Sequence, residues 1–365
     1  MSSSSITIPE TERDAKLRVT AYHGLDLNKK VISFQPGVHE RYRIRPIISS
    51  SFPKTHLSPD LGPWLKHLPP EILVKIFLNL DIASIFTLRQ TNGALRAFVT
   101  SIPEYGVLST DALDAYLAIH RTNLAPWLTL HQVHRALISE WCTMCGAYGG
   151  FLFLPTAMRC CLRCICDKHT FQVLSLNLAC RMTNFGIPKL QTPVPTWTTI
   201  PGWYGKLENT YQKKVRYVSF QHAFEAALET KGPAQVKMLI DEVAREAHRK
   251  TFEEDKARAC VAIPTYEADR KKAYWGLSCR GCAMKMPRLN ATGRSLRSGC
   301  KLPDGVDTVY EREEFEKHVE GCENAKWLWE KSEGGKKCVR HLEGRFSVNG
   351  GFFESRMIAD GEWGY

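Results

Sequence analysis

Between residues 68 and 99, apolar side chains return at the intervals of short amphipathic helices. Pro69 and Pro70 suit the first turn of a helix, where a missing N–H costs nothing. Ile72, Leu73, Ile76, Phe77 and Leu80 then form one apolar face. Asp81 caps a second helix carrying Ile82, Ile85, Phe86 and Leu88. Thr91-Asn92-Gly93 breaks the pattern, and Leu95, Phe98 and Val99 supply a third face. Three helices this short bury little area alone, so a neighbour or a partner must cover their remaining apolar surface. Residues 110–141 predict two more helices, split near Asn123 and Pro126. Ala112, Leu113, Tyr116, Leu117 and Ile119 face inward from the first; Leu128, Val133, Leu137 and Ile138 from the second.

Elsewhere the pattern is less regular. The Ser-rich opening, Ser49-Ser50-Ser51-Phe52-Pro53 and Gly62-Pro63 predict a flexible segment over 1–60. Prolines and aromatics over 181–206 predict a loop packed by rings. Helix is expected from Phe220 to about Thr230 and, after Gly232-Pro233, from Val236 into Arg258. Residues 310–329 form another helical stretch, and Asn349-Gly350 predicts a C-terminal β-hairpin. There is no repeat of 20–50 residues, which excludes a solenoid or propeller. The expected fold is mainly α.

Thirteen cysteines change the picture. The N-terminus lacks the basic and apolar regions of a secretory signal, and no run of about 18 apolar residues can span a membrane. The expectation is an intracellular protein, cytoplasmic or nuclear, whose spaced cysteines bind metal in a reducing compartment. Cys142-Thr-Met-Cys145-Gly146 and, after fifteen residues, Cys161-Leu-Arg-Cys164 match a four-thiolate zinc site, with Gly146 permitting a tight turn. Cys160, Cys166 and His169 compete for a place in it. A second set comprises Cys279-Arg-Gly-Cys282 and, 35 residues on, His318-Val-Glu-Gly-Cys322, whose last two ligands share one face of a helix. Cys300, Cys338 and His341 are its alternatives. Zinc is thus the expected cofactor, and small β elements are expected at the stapled modules. A RING cross-brace needs eight ligands, but only Cys180 stands between His169 and Cys260. No Ser-His-Asp order, phosphate loop or H-E-x-x-H motif points to an enzyme.

The run Leu68-Pro69-Pro70-Glu71-Ile72, followed by Ile76, Leu80-Asp81 and Leu88-Arg89-Gln90, resembles the F-box family. The family often has a Trp near the start of its third helix, where this chain has Asn92-Gly93-Ala94-Leu95. The resemblance covers about 32 residues. It implies a three-helix F-box over 67–100 and a non-catalytic, substrate-recruiting subunit of a cullin-RING ubiquitin ligase. A Skp-type linker would dock on Leu68, Pro69, Ile72, Ile76, Leu80 and Leu88, and the remaining chain would capture a protein substrate. The expected order is then a helical segment over 101–141, a zinc-ribbon-like module over 142–170, a loop with long helices over 171–275, a second Cys/His module over 276–330 and a hairpin with tail over 331–365.

Charge adds a further candidate. The net charge is +11, and Arg270 to Lys301 holds nine basic residues and no acidic one. Leu302 to Glu320 then holds seven acidic and two basic residues. Arg288, Arg294 and Arg297 are therefore candidate anion-binding residues. Three readings stay open: a phosphorylated or acidic substrate segment, nucleic acid contacted through phosphates and stacked bases, and a solvated loop paired with the acidic stretch. The alternative function is a zinc-dependent nucleic-acid-binding protein.

Overall fold

A computed structural model of the chain describes residues 11–23, 30–34, 65–183, 194–204, 209–231, 252–285 and 308–339, with isolated positions at 48, 61, 186, 190, 236 and 305–306. The chain divides into two units, the first Met1–Leu27 with Gly276–Tyr365 and the second Asn28–Trp275. The first described element is α1 (Glu12–Thr20), which the Thr11 side chain caps and which continues directly into β1 (Ala21–Tyr22). This stretch lies inside the segment expected to be flexible. Its buried Ala15, Val19 and Ala21 explain the difference: the residues that cover them come from the far end of the chain.

The second unit contains the three expected helices, α2 (Pro70–Asn79), α3 (Ile82–Thr91) and α4 (Gly93–Ser101). Asp81 accepts the Ser84 amide proton at 2.8 Å, and Asn92 accepts that of Leu95 at 2.8 Å, so each side chain satisfies a donor that helix geometry leaves open. Leu73 and Phe77 point inward, and the Phe77 ring meets Phe98 edge-on at 5.4 Å. α5 (Pro103–Thr110) was not legible in the pattern, because its buried Tyr105, Val107 and Leu108 do not form one stripe. α6 (Leu113–Arg121) and α7 (Leu130–Ile138) are the two helices expected, separated by a single tight turn at Ala125–Trp127. The Ile82 amide donates to Leu128 O at 2.9 Å and the Leu130 amide to Leu80 O at 3.2 Å. The three-helix unit is thereby tied to the start of α7.

After α7 come β2 (Phe151–Phe153), β3 (Met158–Cys160), α8 (Leu162–Asp167), β4 (Val173–Ser175) and α9 (Leu176–Thr183). β5 (Thr196–Thr198), β6 (Gly202–Tyr204), β7 (Asn209–Tyr211), β8 (Arg216–Ser219) and α10 (Phe220–Lys231) follow. The unit closes with α11 (Phe252–Ala257), β9 (Cys260–Ala262), β10 (Thr265–Glu267) and β11 (Lys272–Tyr274). The strands form antiparallel sheets ordered β3-β2-β9, β4-β8-β5, β6-β7 and β10-β11. The strands over 173–274 are not among the elements expected there. α10, in contrast, is the helix expected from Phe220, and β2 and β3 fall at the first stapled module, where small β elements are expected. Most of the helix expected after Val236 lies outside the described residues. Strands of three or four residues are too short to display alternation. The expected packing by rings does occur: Trp197 is buried and stacks on Tyr217 at 6.1 Å.

The first unit is completed by β12 (Ser278–Cys279), α12 (Arg280–Ala283), α13 (Arg312–Gly321) and α14 (Glu323–Lys331). β1 and β12 pair antiparallel, Ala21 opposite Cys279 and Tyr22 opposite Ser278. The single helix expected over 310–329 is broken at Cys322, whose extended backbone (φ −93°, ψ 103°) ends α13 and starts α14. The predicted hairpin at 345–353 lies outside the described residues. Among the described residues, no helix is long and apolar enough to cross a membrane.

Candidate metal centres and docking face

The first cluster begins just after α7. The Cys142 amide donates to Ala147 O at 2.7 Å and the Gly146 amide to Cys142 O at 2.9 Å, closing a turn in which Gly146 takes φ +70°. This turn brings Cys145 back beside Cys142. On the other side, Cys161 caps α8 by accepting the Cys164 amide at 3.4 Å, so the first helical turn places Cys164 beside it. The Thr143 amide and hydroxyl both donate to Arg159 O, each at 3.0 Å, clipping the knuckle to the strand that leads to Cys161. The sulfurs of Cys142, Cys145, Cys161 and Cys164 all lie within 4.8 Å of one another. Cys145 and Cys161 are 3.6 Å apart, close to the roughly 3.8 Å edge of a tetrahedron with ~2.3 Å zinc–sulfur bonds. Cys160, the last residue of β3, is fully buried outside the grouped sulfurs, with its thiol donating to Phe151 O at 3.6 Å. Cys166 and His169 stand outside the grouped sulfurs.

The second cluster is Cys279, Cys282, His318 and Cys322, again with all ligand atoms within 4.8 Å. Cys322 Sγ lies 3.9 Å from both Cys279 Sγ and Cys282 Sγ, and His318 Nε2 lies 3.4 Å from Cys282 Sγ. The other ring nitrogen, Nδ1, is 3.2 Å from the Tyr310 hydroxyl, and the two rings stack at 4.5 Å. That contact turns Nε2 toward the sulfurs, as a metal-binding imidazole requires. Although Cys322 is not inside a helix, the last turn of α13 still brings it to His318. Cys338 is exposed and apart from the cluster; Cys300 and His341 lie outside the described residues.

Gly281 makes this centre possible. A Cβ there would sit 2.4 Å from the Ala325 amide nitrogen, so α12 and α14 approach through bare backbone. Asn324 Nδ2 donates to Gly281 O at 3.0 Å across the same contact. Backbone cannot yield as a side-chain tip can. Gly281→Ala is therefore expected to cost about 2–3 kcal/mol through overpacking. Thermal unfolding of the metal-loaded protein checks this, and an unchanged transition refutes it.

The electrostatics of both clusters favour a cation. A hydrogen bond from the Cys161 thiol pulls Cys142 down to about 4 and pushes Cys161 up, while burial pushes Cys164 up to about 12. In the second cluster, a hydrogen bond from the Cys279 thiol pulls Cys282 down to about 4 and pushes Cys279 up. Sulfurs this close cannot all ionise without positive charge among them. Each cluster can hold a metal ion, and donor sets of four thiolates or three thiolates and an imidazole fit zinc.

A different surface appears on α2. Its neighbours Leu73 and Phe77 are buried, whereas Leu68, Ile72 and Ile76 are 36%, 42% and 40% exposed. The apolar face read as one is thus divided between the core and solvent. Pro69 is exposed, and Leu80 and Leu88 are half-buried. Arg89 is buried instead, with Nη1 donating to Arg96 O and Thr100 Oγ1 and its guanidinium 4.9 Å from the centre of the Tyr105 ring. Residues 65–105 match the family model of the F-box domain. The chain contains an F-box domain. Nothing among curated proteins or solved structures matches the chain. F-box domains typically bind Skp-type linkers in cullin complexes, and F-box proteins are typically non-catalytic adaptor subunits. The exposed Leu68–Ile72–Ile76 row belongs to this F-box. Arg288, Arg294 and Arg297 lie outside the described residues.

Two structural features of these sites escaped the sequence reading. Arg159 sits within the first metal module but carries no motif signal. The α1–β1 segment borders Cys279 from the other end of the chain, where local spacing contains no trace of it.

Proposed function

We propose that this protein is a substrate-recruiting subunit of a cullin-RING ubiquitin ligase, with the F-box docking on a Skp-type linker. The observation that carries the reading is the exposed row formed by Leu68, just before α2, and by Ile72 and Ile76 on α2, the first helix of the F-box. Side chains at i and i+4 share a face, and apolar residues left in water on one face suit a helix-packing partner. Pro69 begins this surface, and the half-buried Leu80 and Leu88 support it from within. Zinc in the two Cys/His clusters staples the remaining chain, which holds the substrate. The stretch from Arg270 to Lys301, including Arg288, Arg294 and Arg297, supplies positive charge for an acidic or phosphorylated substrate segment. The chain performs no chemistry in this reading. It raises the effective concentration of the substrate near the ubiquitin-loaded enzyme.

Ile76→Asp tests the docking face. The new carboxylate meets water in the free protein, so folding and zinc content stay unchanged. In the complex it must be desolvated against apolar groups, costing ~3 kcal/mol or more, roughly 100-fold in Kd. Titration with a purified Skp-type linker measures the difference. Equal affinity for the wild type and the variant overturns the docking assignment.

A further inference from the structure

The second metal centre draws on residues from both ends of the chain. Cys279 lies in β12, and its pairing partner is Ala21 of β1. The next residue, Arg280, stands between two of the cluster's cysteines, and its Nε donates to Ala21 O at 2.7 Å. His23 Nδ1 lies 3.2 Å from Gly276 O at the approach to the same strand. The preceding helix holds the other half of the site. Asp14 accepts from Arg312 Nη2 at 2.7 Å, and Arg13 pairs with Glu316; both partners lie on α13, the helix that carries His318. Arg18 Nη2 donates to Gly335 O at 3.0 Å, beyond α14. Ala21 itself packs in one apolar cluster with Cys279, Cys282, Phe315, Val319, Cys322 and Ala325.

We propose that the α1–β1 segment is a structural component of this metal centre, holding its two ligand-bearing halves together, and that Arg280 is the positioning residue which fastens the Cys279–Cys282 knuckle to it. The proposal rests on the reading of Cys279, Cys282, His318 and Cys322 as a zinc site. Its physical basis is loop closure. The knuckle and His318 are separated by 35 residues, and bringing such ends together costs conformational entropy that the metal would otherwise offset alone. A two-residue strand such as β12 has no stability without a partner. β1 gives it one, while α1 grips α13 through Arg13 and Asp14. Both halves are thus held before any ion binds, and a preorganised site keeps its metal more tightly.

The test compares the full chain with a variant lacking residues 1–23 and with Arg280→Ala. Each is loaded with zinc, and release to a chromogenic zinc chelator is titrated. The wild type is expected to hold two zinc ions per chain. The deletion should keep one as tightly as before and hold the other ~10–100-fold more weakly, the usual effect of losing an outer support of a metal site. Adding a peptide of residues 11–23 should restore it. Arg280→Ala, which leaves α1 and β1 in the chain, should shift the same ion in the same direction and decides the matter if the deletion variant fails to fold. Cobalt substitution identifies the weakened site, because the Cys₃His spectrum is lost while the Cys₄ spectrum stays. If both variants hold both ions as tightly as the wild type, the segment has no role in the site. A wild-type count of one, unchanged by Cys282→Ser, overturns the metal reading itself and the proposal with it.

Discussion

Removal of zinc from the Cys142–Cys145–Cys161–Cys164 cluster is expected to unfold the module around it. The knuckle has little else to hold it: Thr143, Met144, Cys145, Gly146 and Ala147 are all exposed. Its hydrogen bonds close the turn and reach β3, a strand of three residues. Structural zinc binds with ~10–16 kcal/mol in small metal-folded peptides, comparable to the roughly 5–15 kcal/mol that stabilises a whole domain. Protein purified without added zinc should therefore contain two ions per chain. Cys142→Ser should reduce the count to one and open the 142–170 segment to protease. Fewer than one ion per chain in the wild type would refute both centres. Acid should act in the same direction as chelation. In the metal-free cluster Cys161 and Cys164 are pushed up and keep their protons at neutral pH. Zinc must displace those protons, so binding releases them and lowering the pH weakens the complex. Calorimetry in buffers of different ionisation enthalpy measures the release.

What could be read from the sequence depended on how local its cause is. A C-x₂-C pair fixes two sulfurs within one turn, and His318 and Cys322 are brought together by one turn of helix. The structure groups the same eight side chains that spacing grouped. Cys160 and Cys161 were harder to separate, because the choice depends on where β3 ends: Cys160 is still paired with Phe151 in the sheet, and Cys161 is the first residue past it, capping α8. The helices of the F-box were legible because their caps and apolar residues lie in one short stretch. The division of α2 into buried Leu73 and Phe77 and exposed Ile72 and Ile76 was not, since it depends on where α4 and α7 pack. The least legible features were the long-range ones. Residues 12–22 read as part of a flexible segment, because the partners that order them stand far off at Ser278, Arg280 and Arg312. The pairings of β2 with β9 and of β8 with β4 and β5 likewise join distant segments of three or four residues.

Arg159 shows how strongly one such long-range residue can hold a unit. Its side chain is almost wholly buried, 1% exposed, and it is held by neutral groups. Nε donates to Gly149 O, Nη1 to Ala136 O at 2.8 Å and Pro264 O at 3.0 Å, and Nη2 to Thr265 Oγ1 at 2.7 Å. The guanidinium also lies 5.6 Å from the centre of the Tyr148 ring. Burial pulls its pKa down. Five separate donors in a fixed fork can serve acceptors from several directions, which an ammonium cannot. Here they join α7, the loop before β2 and the start of β10. Arg159→Ala would leave those acceptors buried without donors and open a cavity. The expected cost is about 4 kcal/mol or more, or roughly 10 °C in the unfolding transition of a unit this size. Zinc binding should survive, because Thr143 is held by the Arg159 backbone carbonyl, which the substitution leaves in place. Arg163→Ala is the control. It removes the same charge near the same cluster, but from an exposed side chain paired with the exposed Asp167 at 3.8 Å, and such pairs contribute little. Calorimetry of the zinc-loaded variants should show a large shift for the first and none for the second. Equal shifts would mean that the buried guanidinium is not what joins these segments.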